Sequence, residues 1–212
     1  MKIIKWIGKI LLFVLFGLLS LAGVLFAMTR PIFPRAGIEI AVPFSLDDPP
    51  RDLIPMGETI EHPKPKSPEG HPGIDFQWDH PAEILASHDG TITQIKKVEE
   101  DKVFWEITLT NGFYSTVYKE LGDFPSDIKL SAKVKKGDLI GHPYQPILPD
   151  GSSNHYQLHW EFGYLFRDRL CPMTYFDEAS KIAIEQIWDA SINQFKKDFP
   201  YICSGDYFGK DK

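Results

Sequence analysis

The stretch Asn154-His155-Tyr156-Gln157-Leu158-His159-Trp160-Glu161-Phe162 alternates polar and apolar residues, which is the period of a β-strand. Successive side chains of a strand point to opposite faces. Tyr156, Leu158, Trp160 and Phe162 share one face, which reads as core. His155, Gln157, His159 and Glu161 share the other, a row of groups able to hold a metal ion or move a proton. Such a row needs partners, and Gly70-His71-Pro72-Gly73-Ile74-Asp75-Phe76 offers them. His71 and Asp75 stand four apart around Gly73 and converge on one ion if the turn is tight. A catalytic zinc takes three protein ligands, usually His and carboxylate, and keeps a fourth position open. His159 is the third candidate ligand.

The chain between these two stretches reads as β. His88-Asp89-Gly90-Thr91 is a turn leading into a strand over Thr91–Val98, and Lys102–Thr110 is a second strand. Asn111-Gly112 is a hairpin signal, and Phe113–Leu121 is the return strand. Val134-Lys135-Lys136-Gly137-Asp138-Leu139-Ile140-Gly141 is a turn and short strand, followed by a loop over 142–154. His62, His80, His88 and His142 read as solvated loop or turn residues. Trp78, Trp105 and Trp160 read as core or groove wall.

After the central strand, Asp177 caps a helix beginning near Glu178. Ile184, Ile187, Trp188, Ser191 and Phe195 recur at helical spacing, which predicts a helix of about five turns ended by Pro200. Its apolar stripe is expected to pack on the β body.

Residues Ile10–Met28 are free of charge. At about 1.5 Å per residue such a helix is roughly 28 Å long, close to the hydrocarbon thickness of a bilayer. Lys2, Lys5 and Lys9 precede it and Arg30-Pro31 ends it. The pattern predicts a single-pass transmembrane anchor with the lysines inside and the C-terminal body outside the cytoplasm. The alternative is a cleaved signal peptide with Ser20-Leu21-Ala22 as the small-residue site. Both readings export the body. An oxidising compartment permits a disulfide between Cys171 and Cys203, with two buried thiols as the alternative.

The net charge is −6 over 212 residues, and three of the lysines lie ahead of the apolar run. The body is therefore more acidic still, which argues against nucleic acid as a partner. Ten prolines between positions 31 and 72 exclude a helix there and read as an extended linker, within which Gly37 to Phe44 is a candidate short strand. The expected organisation is an anchor over 1–30, a proline-rich linker over 31–54, a main domain over 55–176 and a C-terminal helical extension over 177–212.

Taken together these motifs resemble the lysostaphin/LytM-type zinc metallopeptidases, which are bacterial cell-wall endopeptidases. The family's H-x-G-I-D is matched by His71-Pro72-Gly73-Ile74-Asp75, and its A-x-x-D-G-x-I by Ala86-Ser87-His88-Asp89-Gly90-Thr91-Ile92. Its V-x-x-G-x-x-I-G turn is matched by Val134 to Gly141, and its H-L-H-F-E by Gln157-Leu158-His159-Trp160-Glu161. The resemblance implies a mainly β fold, an antiparallel sheet or open barrel. It also implies Zn2+ as cofactor on His71, Asp75 and His159.

Two departures stand out. The family's Y-A-H-L aligns with Tyr118-Lys119-Glu120-Leu121, so Glu120 replaces one of its histidines, and Gln157 replaces another. Those two histidines act on the water and on the developing oxyanion. The metal ligands persist while the proton machinery does not. Gln157 cannot accept a proton at neutral pH, Glu120 can, and His155 is an auxiliary candidate on the same face.

The resemblance thus implies an exported, membrane-anchored, zinc-binding domain with impaired hydrolysis. It would bind cell-wall peptide or a hydrolase partner, as the family's non-catalytic amidase activators do. An active endopeptidase on peptidoglycan cross-links is the alternative. A third reading, a pump-adaptor barrel, rests on Asp89-Gly90-Thr91-Ile92 and Val134–Ile140 as two halves of a biotinyl/lipoyl-like unit. It requires a coiled-coil hairpin between them, where the sequence shows β patterning.

Overall fold

The structure, a computed structural model, describes residues 2–29, 37–57, 70–99, 103–147, 155–164, 169–191 and 202–203. The N-terminal apolar run forms helix α1, Lys2–Thr29, in a unit of its own. Its side chains from Leu12 to Val24 are exposed. Among the described residues, no helix is long and apolar enough to cross a membrane.

The second unit begins at Ile38 and is mainly antiparallel β. Its strands are β1 (Asp52–Ile54), β2 (Ile74–Trp78), β3 (Ile84–Leu85), β4 (Gly90–Glu99), β5 (Val103–Asn111), β6 (Tyr114–Asp123), β7 (Lys133–Val134), β8 (Leu139–Pro143) and β9 (Tyr156–Tyr164). The order across the sheet is β1-β2-β9-β6-β5-β4-β7, and β8 pairs with β3 and β6. β9 lies between β2 and β6, so the histidine strand is interior. The residues between the two lipoyl-like motifs are β4, β5 and β6 of this sheet, which removes the coiled-coil hairpin that the pump-adaptor reading needs.

The alternation of β9 is realised. Leu158, Trp160 and Phe162 are buried in the core, and Trp160 stacks on Phe162 and on Phe176. Burying one large aromatic of this kind is worth about 1.5–3 kcal/mol. The opposite face carries Gln157 and His159, both half-buried. The hairpin between β5 and β6 is offset by one residue from its sequence reading. Asn111 pairs with Tyr114, so Gly112-Phe113 forms the tip, with Gly112 at φ 58°. A two-residue hairpin turn needs positive φ at its first central position, and glycine takes it without strain.

Two expected boundaries move. Residues 38–54, read as linker, belong to the body: Ile40, Val42 and Phe44 alternate into the core. Ile40 N–H donates to Tyr175 O at 3.0 Å, and Leu85 N–H donates to Pro43 O at 3.0 Å. Prolines lack a donor but still accept, which suits this strap along the sheet. Helix α2 spans Glu178–Ala190, shorter than expected. Asp177 caps it as predicted, accepting from Ser180 N–H at 2.9 Å. At the other end Ser191 turns extended, and its Oγ donates to Asp52 Oδ1 at 2.5 Å. That tertiary tie to β1 ends the helix ahead of Pro200, and Phe195 and Pro200 lie outside the described residues. Ile184, Ile187 and Trp188 are buried in the same compact unit as the sheet.

Cys171 and Cys203 are disulfide-bonded, with Cα atoms 5.7 Å apart. The bridge spans a separation of 32 residues that contains α2. Closing a loop of this length stabilises by about 3–4 kcal/mol in the chain-entropy model. Replacing both cysteines by serine is expected to lower unfolding stability by that amount, read from urea unfolding as a lower midpoint with a steeper slope, because the uncrosslinked chain unfolds to a more open state.

Candidate metal centre

Strand register assembles the site. Asp75 of β2 and Lys119 of β6 both pair with His159 of β9, so the three occupy one row across the sheet. His71 stands just before β2, held by a two-way backbone bridge to Gly57, one arm of which is 2.9 Å. Gly73 lets the two motifs meet. A Cβ built there would lie 2.3 Å from Trp160 O and 3.0 Å from Glu161 Cγ. Gly73→Ala must push β2 away from β9, and an overpacked substitution of this kind typically costs about 1–3 kcal/mol. The variant should melt earlier and lose zinc affinity together, checked by thermal unfolding and metal titration.

His71 Nε2, Asp75 Oδ1 and His159 Nδ1 converge. His71 Nε2 is 3.1 Å from His159 Nδ1 and 3.2 Å from Asp75 Oδ1, and His159 Nδ1 is 2.6 Å from Asp75 Oδ1. Each ring's other nitrogen has an acceptor. His71 Nδ1 donates to Pro55 O at 2.9 Å, and His159 Nε2 donates to Glu161 Oε1 at 2.9 Å. These outer acceptors fix both tautomers so that the inward nitrogens are the ones able to ligate. Zinc bonds of about 2.0–2.2 Å require tetrahedral donors roughly 3.3–3.5 Å apart. The donors lie slightly inside that spacing, and opening by less than about 1 Å admits an ion of this size. The donor set and its outer shell fit zinc.

The charges agree with a cation site. Burial works against ionising Asp75, yet the His71 and His159 rings outweigh it and hold the carboxyl well below the usual range. Burial likewise lowers the pKa of His159, but the charges and hydrogen bonds of Asp75 and Glu161 prevail and push it up to about 9. Burial raises Glu161, and His159, Arg169 and Lys119 bring it below its ordinary value. The upward push on His159 favours a proton there, between the two carboxylates, at neutral pH. A metal ion bound at Nδ1 must displace it.

Glu120 and Gln157 meet at the edge of this cluster. Gln157 Nε2 donates to Glu120 Oε2 at 2.9 Å and to Asp75 Oδ2 at 3.2 Å, while Gln157 Oε1 accepts from Gln77 Nε2 at 3.3 Å. Glu120 reaches the site through a bulge. Opposite the single residue Glu106 of β5, β6 carries two, Lys119 and Glu120. Glu120 has φ 62°, a left-handed conformation that costs a non-glycine residue about 1–3 kcal/mol. Strict alternation would have placed Glu120 with the buried Tyr118; the extra residue turns it onto the ligand face.

His155 sits elsewhere. It precedes β9 and lies beside Arg51 and Asp79, with Nε2 2.6 Å from Arg51 Nη2 and Nδ1 3.3 Å from Asp79 Oδ1. Its auxiliary role is not supported, because strand alternation does not extend past Tyr156. His80 and His142 pair with Asp48 and Asp123. His88, expected to be solvated, is buried, with Nε2 2.8 Å from Thr116 Oγ1 and a pKa lowered by that burial. His62 lies outside the described residues.

Sequence reading put Glu161 on the site face but gave it no role. It is buried, and Lys119 Nζ lies 2.5 Å from its Oε1 and Arg169 Nη2 2.6 Å from its Oε2. Its signals in the sequence were its place two residues after His159 and its match to the last residue of the H-L-H-F-E motif.

Residues 69–168 match the model of Peptidase family M23. No curated protein sequence matches the chain. Among solved structures it is similar to Csd3 of Helicobacter pylori, at 21% identity and a TM-score of 0.50, over 73% of this chain and 41% of that one. It is also similar to lysostaphin of Staphylococcus simulans, at 19% identity and a TM-score of 0.48, over 66% of this chain and 55% of that one. A third is the SpoIIQ–SpoIIIAH pore-forming complex, at 20% identity and a TM-score of 0.47, over 71% of this chain and 98% of that one. The chain thus spans well under two thirds of Csd3. Family match, fold likeness and the His-Asp-His cluster point the same way: residues 69–168 have the fold of a LytM-type peptidase of family M23.

Proposed function

We propose that this protein is an exported, membrane-anchored M23-type domain that binds zinc on His71, Asp75 and His159, has impaired hydrolysis, and holds cell-wall peptide or a partner protein in its groove. One observation carries the reading. The ligand trio is complete and tautomer-fixed, while Gln157 and Glu120 occupy the flanking positions and bond to each other. Zinc bound there supplies a Lewis acid that polarises a carbonyl and acidifies water. The residues beside it cannot move protons in the usual way. The Gln157 amide does not accept a proton, and its Nε2 is committed to Glu120 and Asp75. Glu120 brings negative charge where an oxyanion needs a donor. The apolar run of α1, preceded by lysines, supports the anchor and an outward body.

An active endopeptidase is the second reading, favoured by the strained bulge that aims Glu120 at the cluster. Glu120 would then be the general base and Gln157 the donor. The test of the proposed zinc site is metal content: the domain purified from zinc-supplemented medium should carry about one zinc per chain, and His71→Ala should carry almost none. A wild-type domain free of zinc after that treatment would contradict it.

A further inference from the structure

We propose that Glu161 and Lys119 set the metal affinity of this site in opposite directions: Glu161 strengthens zinc binding by holding His159, and Lys119 weakens it by drawing on the same carboxylate oxygen. This rests on the reading of His71, Asp75 and His159 as zinc ligands. Glu161 Oε1 lies 2.9 Å from His159 Nε2 and 2.5 Å from Lys119 Nζ. A carboxylate that accepts from the outer nitrogen of a ligating histidine orients the ring and raises its basicity toward the metal. An ammonium on that oxygen neutralises part of the charge that does so. It also places a second positive charge beside a cation site, where repulsion is weakly screened.

Lys119 is not needed to balance the buried carboxylate. Arg169 Nη2 already lies 2.6 Å from Glu161 Oε2. Lys119 is fixed by register opposite His159, and its side chain is 26% exposed, against 1% for Glu161. It therefore has a route to solvent that Glu161 lacks. With Lys119 in place the site is tuned toward metal exchange rather than permanent retention. Both residues are positioning residues, acting on the metal through His159.

The test is zinc affinity of the metal-stripped exported domain, by competition with a chromophoric chelator at pH 7, for wild type, Glu161→Gln, Lys119→Met and Lys119→Arg. Glu161→Gln should bind roughly 10- to 100-fold more weakly, the usual effect of losing an outer-shell partner. Lys119→Met should bind about three- to tenfold more tightly, the direction given by removing a like charge beside the cation, and Lys119→Arg should stay near wild type. The opposite signs separate this from a purely structural role, in which both changes weaken binding. If Glu161→Gln does not fold, judged by circular dichroism, the Lys119→Met and Lys119→Arg pair decides alone. Lys119→Met binding at or below wild-type affinity overturns the proposal and leaves the zinc site standing. A wild-type domain that takes up no zinc overturns both.

Discussion

Replacing Glu120 and Gln157 together with histidine is expected to raise hydrolysis of peptide cross-links by about a hundredfold or more over the unmodified domain. A positioned general base contributes roughly 10²–10⁴-fold, and a donor aimed at the oxyanion about 10²–10³-fold. The unmodified residues supply neither in its usual form. Gln157 offers no acceptor for a proton, and the Glu120 carboxylate is tied to its amide at 2.9 Å. The double replacement breaks that pair and leaves His71, Asp75 and His159 untouched. Histidine at 120 must adopt φ near 62°, a conformation histidine enters more readily than most residues. Each single replacement should recover less than the pair, because the two groups act as a unit. Product release followed by chromatography of digested peptidoglycan reads the effect.

His159→Ala should weaken zinc binding by roughly a hundredfold or more, since a full set of zinc ligands is worth about 10–16 kcal/mol and one of three protein donors is lost. The apo fold should suffer as well, because removing His159 removes the proton held between Asp75 and Glu161 and leaves those two buried carboxylates less compensated. The sign of the pH dependence follows. The folded pKa of about 9 is above the unfolded value of 6.5, so this proton stabilises the apo fold fully below about pH 6.5 and the contribution is lost as pH rises through 9. Apo His159→Ala should therefore lose stability relative to wild type near neutral pH, with the difference shrinking toward pH 9 to 10. Thermal melting of the two apo proteins across that range checks it.

Much of this was legible in the chain. The alternation of β9 gave both faces of the central strand, and His71, Gly73 and Asp75 indicated a tight turn beside it. Those features are local, and local periodicity survives into the fold. What was not legible depended on long-range placement. Glu161 is enclosed by Lys119, 42 positions upstream, and by Arg169 from beyond the end of β9. Glu120 reaches the ligand face only because β6 bulges, and no period marks a bulge. His155 looked like a fourth member of the row, but the strand starts one residue later. The proline-rich stretch read as linker because prolines exclude helix, yet Ile40, Val42 and Phe44 carried a strand-like alternation that fits it to the core.

The most direct test of a zinc-binding but hydrolytically impaired domain is peptidoglycan digestion by the zinc-loaded wild-type protein, assayed against its own chelated form. Release of cross-link fragments indistinguishable between the two is the predicted result. Efficient release that disappears on chelation and in His159→Ala would contradict it. Glu120→Gln would then be nearly as damaging, marking Glu120 as the base.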